Sequence, residues 1–210
     1  MTTHLDIPRS LDDLCRPERM ALVVYDMQVG IVRQLGDGGA VVERVGAVLE
    51  AARSNGFPVI FLRHLSMPKE LMGAYQLRQA MAWQRKSSPE GVQPWFLRGS
   101  PGFEIVPELA PRENEAVLDK ITFSAFEGTP LSIILRDRGL TGFAICGVAT
   151  EIGIEPSVRH GADLCLVPVV VEDACGSGHK EAGERSLANI AYMGDAIMTD
   201  VAGITAAMAR

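Results

Sequence analysis

The sequence lacks a long apolar run, and no window approaches the roughly 20 residues that a membrane-spanning helix needs. Its first twenty residues, MTTHLDIPRSLDDLCRPERM, hold no apolar stretch, so neither a signal peptide nor an anchor is expected there. Both absences predict a cytoplasmic protein with no membrane partner. Cysteine is scarce: Cys15, Cys146, Cys165 and Cys175 are the only four. They are too scattered for a disulfide framework, and no CxxC spacing suggests zinc. Cys146 and Cys165 lie in apolar runs and read as small core residues. Basic clusters are missing too, and the net charge is −6, which argues against nucleic acid as a partner. A small anionic substrate held by one or two local cations stays compatible with that charge.

What is present is an ordinary globular composition, 47% hydrophobic and 22% charged. The 210 residues read as one domain, 1–210, able to bury roughly 70% of its unfolded surface. Short apolar runs alternate with helical patterns. Strands are expected over 21–26, 57–64, 114–120, 141–148, 164–174 and 195–200. Helices are expected over 40–56, closing on Gly56, over 129–140, from Thr150, over 179–193 and over 201–210. Continuously apolar strands separated by helices predict an α/β fold: a Rossmann-like three-layer sandwich with a six-stranded, mainly parallel sheet. Residues 65–113 interrupt the alternation and carry both tryptophans and several prolines. An excursion of that length reads as a lid or an interface.

Ligands of parallel α/β sheets bind outside the carboxyl ends of the strands. Three such ends carry reactive groups: Asp26 after the first strand, Lys120 at the third, and the turn GVATEIG after the fourth. An acid ending a strand can be a helix cap, and a lone lysine is ordinarily a surface residue. Their joint placement at one sheet edge is what points to chemistry. The turn itself lacks something. Its first helical residues are Glu151, Ile152, Gly153 and Ile154, with no serine or cysteine where a nucleophile would stand.

VVYDMQ, DKITFSAFEGTPLSIILRDRGL and GVATEIGIEPSVRHGADL resemble, in order and spacing, the three motifs of the isochorismatase-like (cysteine hydrolase) superfamily. The resemblance runs from about residue 20 to the end and is weak across 65–113. It implies Asp26 as the catalytic acid or base, Lys120 as its support, and a non-proline cis peptide between Val148 and Ala149. The family's nucleophilic cysteine falls on Gly153, which excludes covalent amide hydrolysis through that residue. Gly153 keeps an N–H, so an anion-binding turn over 148–153 is expected. A thiol restored there would be activated by the helix N-terminus and the lysine. Isochorismatases proper resemble this sequence in having glycine at that place. They cleave a vinyl ether by proton transfer and water addition.

His64 ends the second strand and is a candidate general base or carboxylate contact. It resembles in position the first histidine of metal-binding relatives, but their second histidine is not evident, so no metal is expected. No cofactor is expected either; the glycines of DACGSGH (173–179) read as backbone geometry. Val148, Ala149, Phe123 and Glu151 complete the expected substrate site, with Trp83 and Trp95 as further pocket walls. Glu151 has a simpler role available, favouring the helix dipole. Glu155 and Arg159 can form an i, i+4 pair, and His160 reads as a surface or interface residue. By resemblance a homo-oligomer, dimer or tetramer, is expected.

Two functions follow. One is a hydrolase acting on a small molecule without a covalent cysteine intermediate. The other is a catalytically silent binding or regulatory protein that keeps the pocket. An Asp26–Lys120 hydrogen bond in a closed pocket favours the first, and a pocket filled by residues 65–100 favours the second.

Overall fold

The computed structural model describes residues 6–210. Six strands form one sheet, all parallel, in the order β3-β2-β1-β4-β5-β6. They are β1 (Met20–Tyr25), β2 (Val59–His64), β3 (Ala116–Lys120), β4 (Gly142–Val148), β5 (Val167–Gly176) and β6 (Ile197–Thr199). The helices are α1 (Leu11–Leu14), α2 (Val29–Val32), α3 (Gly38–Ser54), α4 (Ala74–Gln84), α5 (Leu131–Asp137), α6 (Glu155–Asp163), α7 (Lys180–Met193) and α8 (Val201–Met208). Among the described residues no helix is long and apolar enough to cross a membrane.

Both sheet faces are covered, which is why the strands read as unbroken apolar runs. Leu22, Val24, Cys146 and Val169 pack with Val41, Val45, Leu49, Ile204 and Met208 of α3 and α8. Val23, Tyr25, Ile145 and Val170 face the other way, against Leu131, Leu135, Val158 and Ile190 of α5, α6 and α7. The period of two along β1 therefore sends Tyr25 under α6. Its carbonyl lies against Gly147 of β4, whose φ of 124° and crowded backbone admit only glycine.

Two expectations need correction. The apolar run 164–174 does not begin as a strand. Leu164–Leu166 close α6, with Cys165 N–H on the Ala162 carbonyl (2.9 Å) and Leu166 N–H on the Gly161 carbonyl (3.0 Å). Cys165 is exposed there at φ 62°, so it is a turn residue and not core. The excursion contains α4, which the sequence did not signal because no residue of that helix is buried and it presents no apolar stripe.

Candidate functional site

The strand order reverses between β1 and β4, and a crevice opens beyond their carboxyl ends. Asp26 follows β1 directly, at φ 47°, its N–H on the Leu62 carbonyl at 3.1 Å. Aspartate is among the residues that tolerate this left-handed backbone. Lys120 ends β3 two strands away and reaches back across His64. Its Nζ donates to Asp26 Oδ2 at 2.7 Å and to the Thr122 carbonyl at 3.2 Å, and lies 4.2 Å from the centre of the Tyr25 ring. Asp26 and Lys120 are both buried. Asp26 Oδ1, also buried, has no protein partner. Burial pushes the Asp26 carboxyl above the ordinary carboxylate range, with the Lys120 charge opposing it. Burial likewise lowers Lys120 against the pull of Asp26.

Gly153 faces β1 and is packed tight. A Cβ built on it would overlap the hydroxyl and adjoining ring carbons of Tyr25. Tyr25 is 2% exposed, and its hydroxyl donates to the Phe123 carbonyl. Burial and the neighbouring Asp26 hold this phenol well above its usual titration range, so it is a neutral strut. The space a side chain at 153 would need is occupied by Tyr25, which corrects the expectation that a restored thiol would fit. Ser157, whose Oγ donates to the Gly153 carbonyl at 2.6 Å and accepts the Ala125 N–H at 2.9 Å, ties the turn to the Phe123 loop.

The Val148–Ala149 peptide is cis. After it, Thr150–Ile154 winds as a π-helical turn before α6 begins, a form often found at functional sites. The N–H groups of Ile152, Gly153 and Ile154 converge on the Ala149 carbonyl at 3.3, 2.9 and 3.2 Å. Gly153 N–H is therefore committed to its own turn, contrary to the expected anion contact. Glu151 does more than favour a dipole: its Oε1 accepts the His179 N–H at 2.8 Å, just ahead of α7, and its Oε2 is buried without a partner.

A cavity of about 400 Å³ joins these groups, within the size range of small-molecule sites. It touches Asp26, Lys120, His64, Val148, Ala149, Phe123 and Glu151, so every residue expected to bind substrate lies on one wall system. Trp83, Trp95 and Phe96 of the excursion line it without filling it. Trp83 stands 6.1 Å from Phe123, ring centre to ring centre, and His64 stands 5.9 Å from Phe96. Arg63, one residue earlier, turns away: its Nε donates to Asp119 at 2.8 Å and its guanidinium lies 4.2 Å over Phe103. Glu155 and Arg159 form their helix pair at 3.1 Å. His160 bonds Ser124 Oγ at 2.9 Å through Nδ1 and is half-buried.

His64 is held neutral. Burial, reinforced by the Lys120 charge, lowers its imidazole from 6.5 to about 3. A depressed pKa contributes stability that is complete above the unfolded value near 6.5 and is lost as pH falls toward the folded value. Because the ring borders the cavity, the expected loss between pH 6.5 and 4 is on the order of 2–3 kcal/mol, which His64→Phe should remove. Urea melts of both proteins across that range check this; parallel pH curves would contradict it.

Two residues that matter here carried no assigned role in the sequence reading. Tyr25 looked like one more apolar strand residue, although period two on β1 already set it on the α6 side. Gln28 is fully buried and staples three segments: its Nε2 donates to the carbonyls of His64 (3.0 Å) and Phe103 (2.9 Å), and its Oε1 accepts the His64 N–H (2.6 Å). No cysteine lines the cavity. Burial pushes Cys15 to about 11, Cys146 to about 12 and Cys175 well above its ordinary value.

Comparison with known proteins agrees with this geometry. The ureidoacrylate amidohydrolase of Klebsiella variicola is 30% identical over 192 residues, spanning 83% of this chain and 80% of its own. That of Acinetobacter baylyi is 31% identical over 191 residues, spanning 83% and 78%. Among solved structures, a cysteine hydrolase from Pseudomonas syringae pv. phaseolicola superposes with a TM-score of 0.82 over 100% of this chain and 99% of its own, at 22% identity, a likeness of fold. An isochorismatase family protein from Burkholderia thailandensis gives 0.74 at 28% identity, over 92% and 97%. The isochorismatase domain matches residues 20–202, and the chain belongs to that family.

Proposed function

We propose that the protein is a hydrolase of a small molecule that works without a covalent cysteine intermediate, with Asp26 as its acid–base group and Lys120 holding that carboxyl in place. The observation that carries the reading is the Tyr25 ring packed against Gly153, beside a buried Asp26–Lys120 pair on an open cavity. Hydrolysis is the chemistry in the names of the ureidoacrylate amidohydrolases. The route differs, because no group on the wall is free to attack as a nucleophilic hydroxyl or thiol. Tyr25 is tied to Phe123, and Thr122 Oγ1 donates to the Glu127 carbonyl at 2.7 Å.

What the site offers is a proton and room for water. Asp26 Oδ1, free of protein partners, gives its proton to the substrate atom where the bond breaks. Water adds to the resulting cation and returns a proton to the carboxylate, so the cycle closes with one water consumed. Lys120 Nζ keeps Oδ2 fixed throughout. The aromatic residues of the excursion wall the cavity without filling it, which counts against the silent protein.

An acid must be protonated to act, and burial raises the Asp26 value. Turnover should be full at low pH and fall tenfold per unit once pH rises past that value. A pH–rate profile for kcat/KM, measured above the range where His64 destabilises the fold, tests the reading. A rate that rises with pH over that range would contradict it.

A further inference from the structure

We infer that the cavity selects a flat, ring-containing molecule that carries no negative charge where it enters, and that it rejects carboxylates. The inference deepens the reading above and rests on it only for which cavity is the substrate site. It also reverses the sequence's allowance for an anion held by local cations.

The wall holds one ammonium, and its three N–H groups are spent. Lys120 Nζ meets Asp26 Oδ2, the Thr122 carbonyl and the face of the Tyr25 ring. With both groups ionised, the Asp26–Lys120 pair carries no net charge and offers an entering anion no surplus cation. Arg63 is bound to Asp119 outside the cavity, and Arg98 contacts the same carboxylate at 2.7 Å. The Gly153 N–H is committed to Ala149. His64 is neutral. Glu151 adds a carboxylate with an unpartnered buried oxygen, and His179, exposed at the mouth, stands beside it. A carboxylate entering here would lose its water and find no cation, which is the costly case.

The same wall favours flat rings. Trp83 and Phe123 pack side by side on it, ring centres 6.1 Å apart and tilted by 59°, and Trp95 meets Phe96 edge to face at 6.3 Å. Aromatic faces are electron-rich and attract neutral or cationic rings over anionic ones.

Benzamide, benzamidinium and benzoate share one shape and differ in charge, so they isolate the effect. Trp83 and Trp95 are the only tryptophans of the chain and line both the cavity and the smaller hollow that adjoins it at Phe96, so intrinsic fluorescence reports binding on this face of the protein. At neutral pH and low salt, benzamide and benzamidinium should each bind about tenfold or more tightly than benzoate. Gln34→Arg, which adds a cation at an exposed wall position, should raise benzoate affinity about fivefold and lower that of benzamidinium. Benzoate binding as well as benzamide in the unaltered protein would overturn the inference. So would an indifferent Gln34→Arg variant, or three probes that all leave the fluorescence unchanged. None of these outcomes touches the proton-transfer role of Asp26, which is decided by turnover.

Discussion

Asp26→Asn is expected to lower turnover by about 10²–10⁴-fold, the range for losing a general acid–base group. The amide has the shape of the carboxyl and keeps an oxygen for Lys120 Nζ, now at 2.7 Å from Oδ2. It has no proton to exchange. Removing one charge of a buried pair normally costs stability. Burial lowers Lys120, and loss of the Asp26 charge removes what opposes that lowering, so release of the lysine proton relieves part of the cost. The variant should therefore show the circular dichroism of the parent with a lower melting temperature. Turnover within about tenfold of the parent would remove Asp26 from the chemistry.

Gly153→Cys is expected to destabilise the fold by about 1–3 kcal/mol or more, because its side chain must displace the Tyr25 ring. Tyr25→Ala alone should cost about 3–5 kcal/mol through the cavity it leaves and the lost bond to Phe123. The informative protein carries both changes. Each substitution relieves the defect of the other, so the double variant should lose less stability than the sum, by about 0.5–3 kcal/mol. Its thiol, near Lys120 and a helix start, should titrate below about 8.5 and be alkylated readily by iodoacetamide. In the single variant the same residue should be shielded. Strict additivity, or a single variant as stable as the parent and reactive at residue 153, would show that Tyr25 does not occupy that space.

The sheet was legible because its chemistry is local. Each buried strand is an apolar run between turn signals, and Asp26, Lys120 and the 148–153 turn fall at strand ends where parallel sheets bind ligands. The cavity walls were legible one residue at a time, Phe123, Trp83 and Trp95 among them, though not their distances. Helix α4 was not, since its residues face solvent and the cavity mouth and carry no core stripe. Cys165 misled because an apolar run hides where a helix turn ends and a strand begins. Tyr25 was missed for another reason: a contact between residues 25 and 153 is made by the fold, and neither residue signals the other along the chain. The balance between burial and Lys120 at Asp26 is equally a property of the packed site.

The most direct test is turnover by a cysteine-free protein carrying Cys15→Ala, Cys146→Ala, Cys165→Ser and Cys175→Ala, assayed on a substrate found by screening neutral ring compounds. Replacing the buried Cys146 should lower the melting temperature. Turnover below that temperature should stay within about tenfold of the parent, because no thiol takes part in the reaction. A loss of about 10²-fold or more in a folded cysteine-free protein would mean that a thiol attacks the substrate, and would contradict the account.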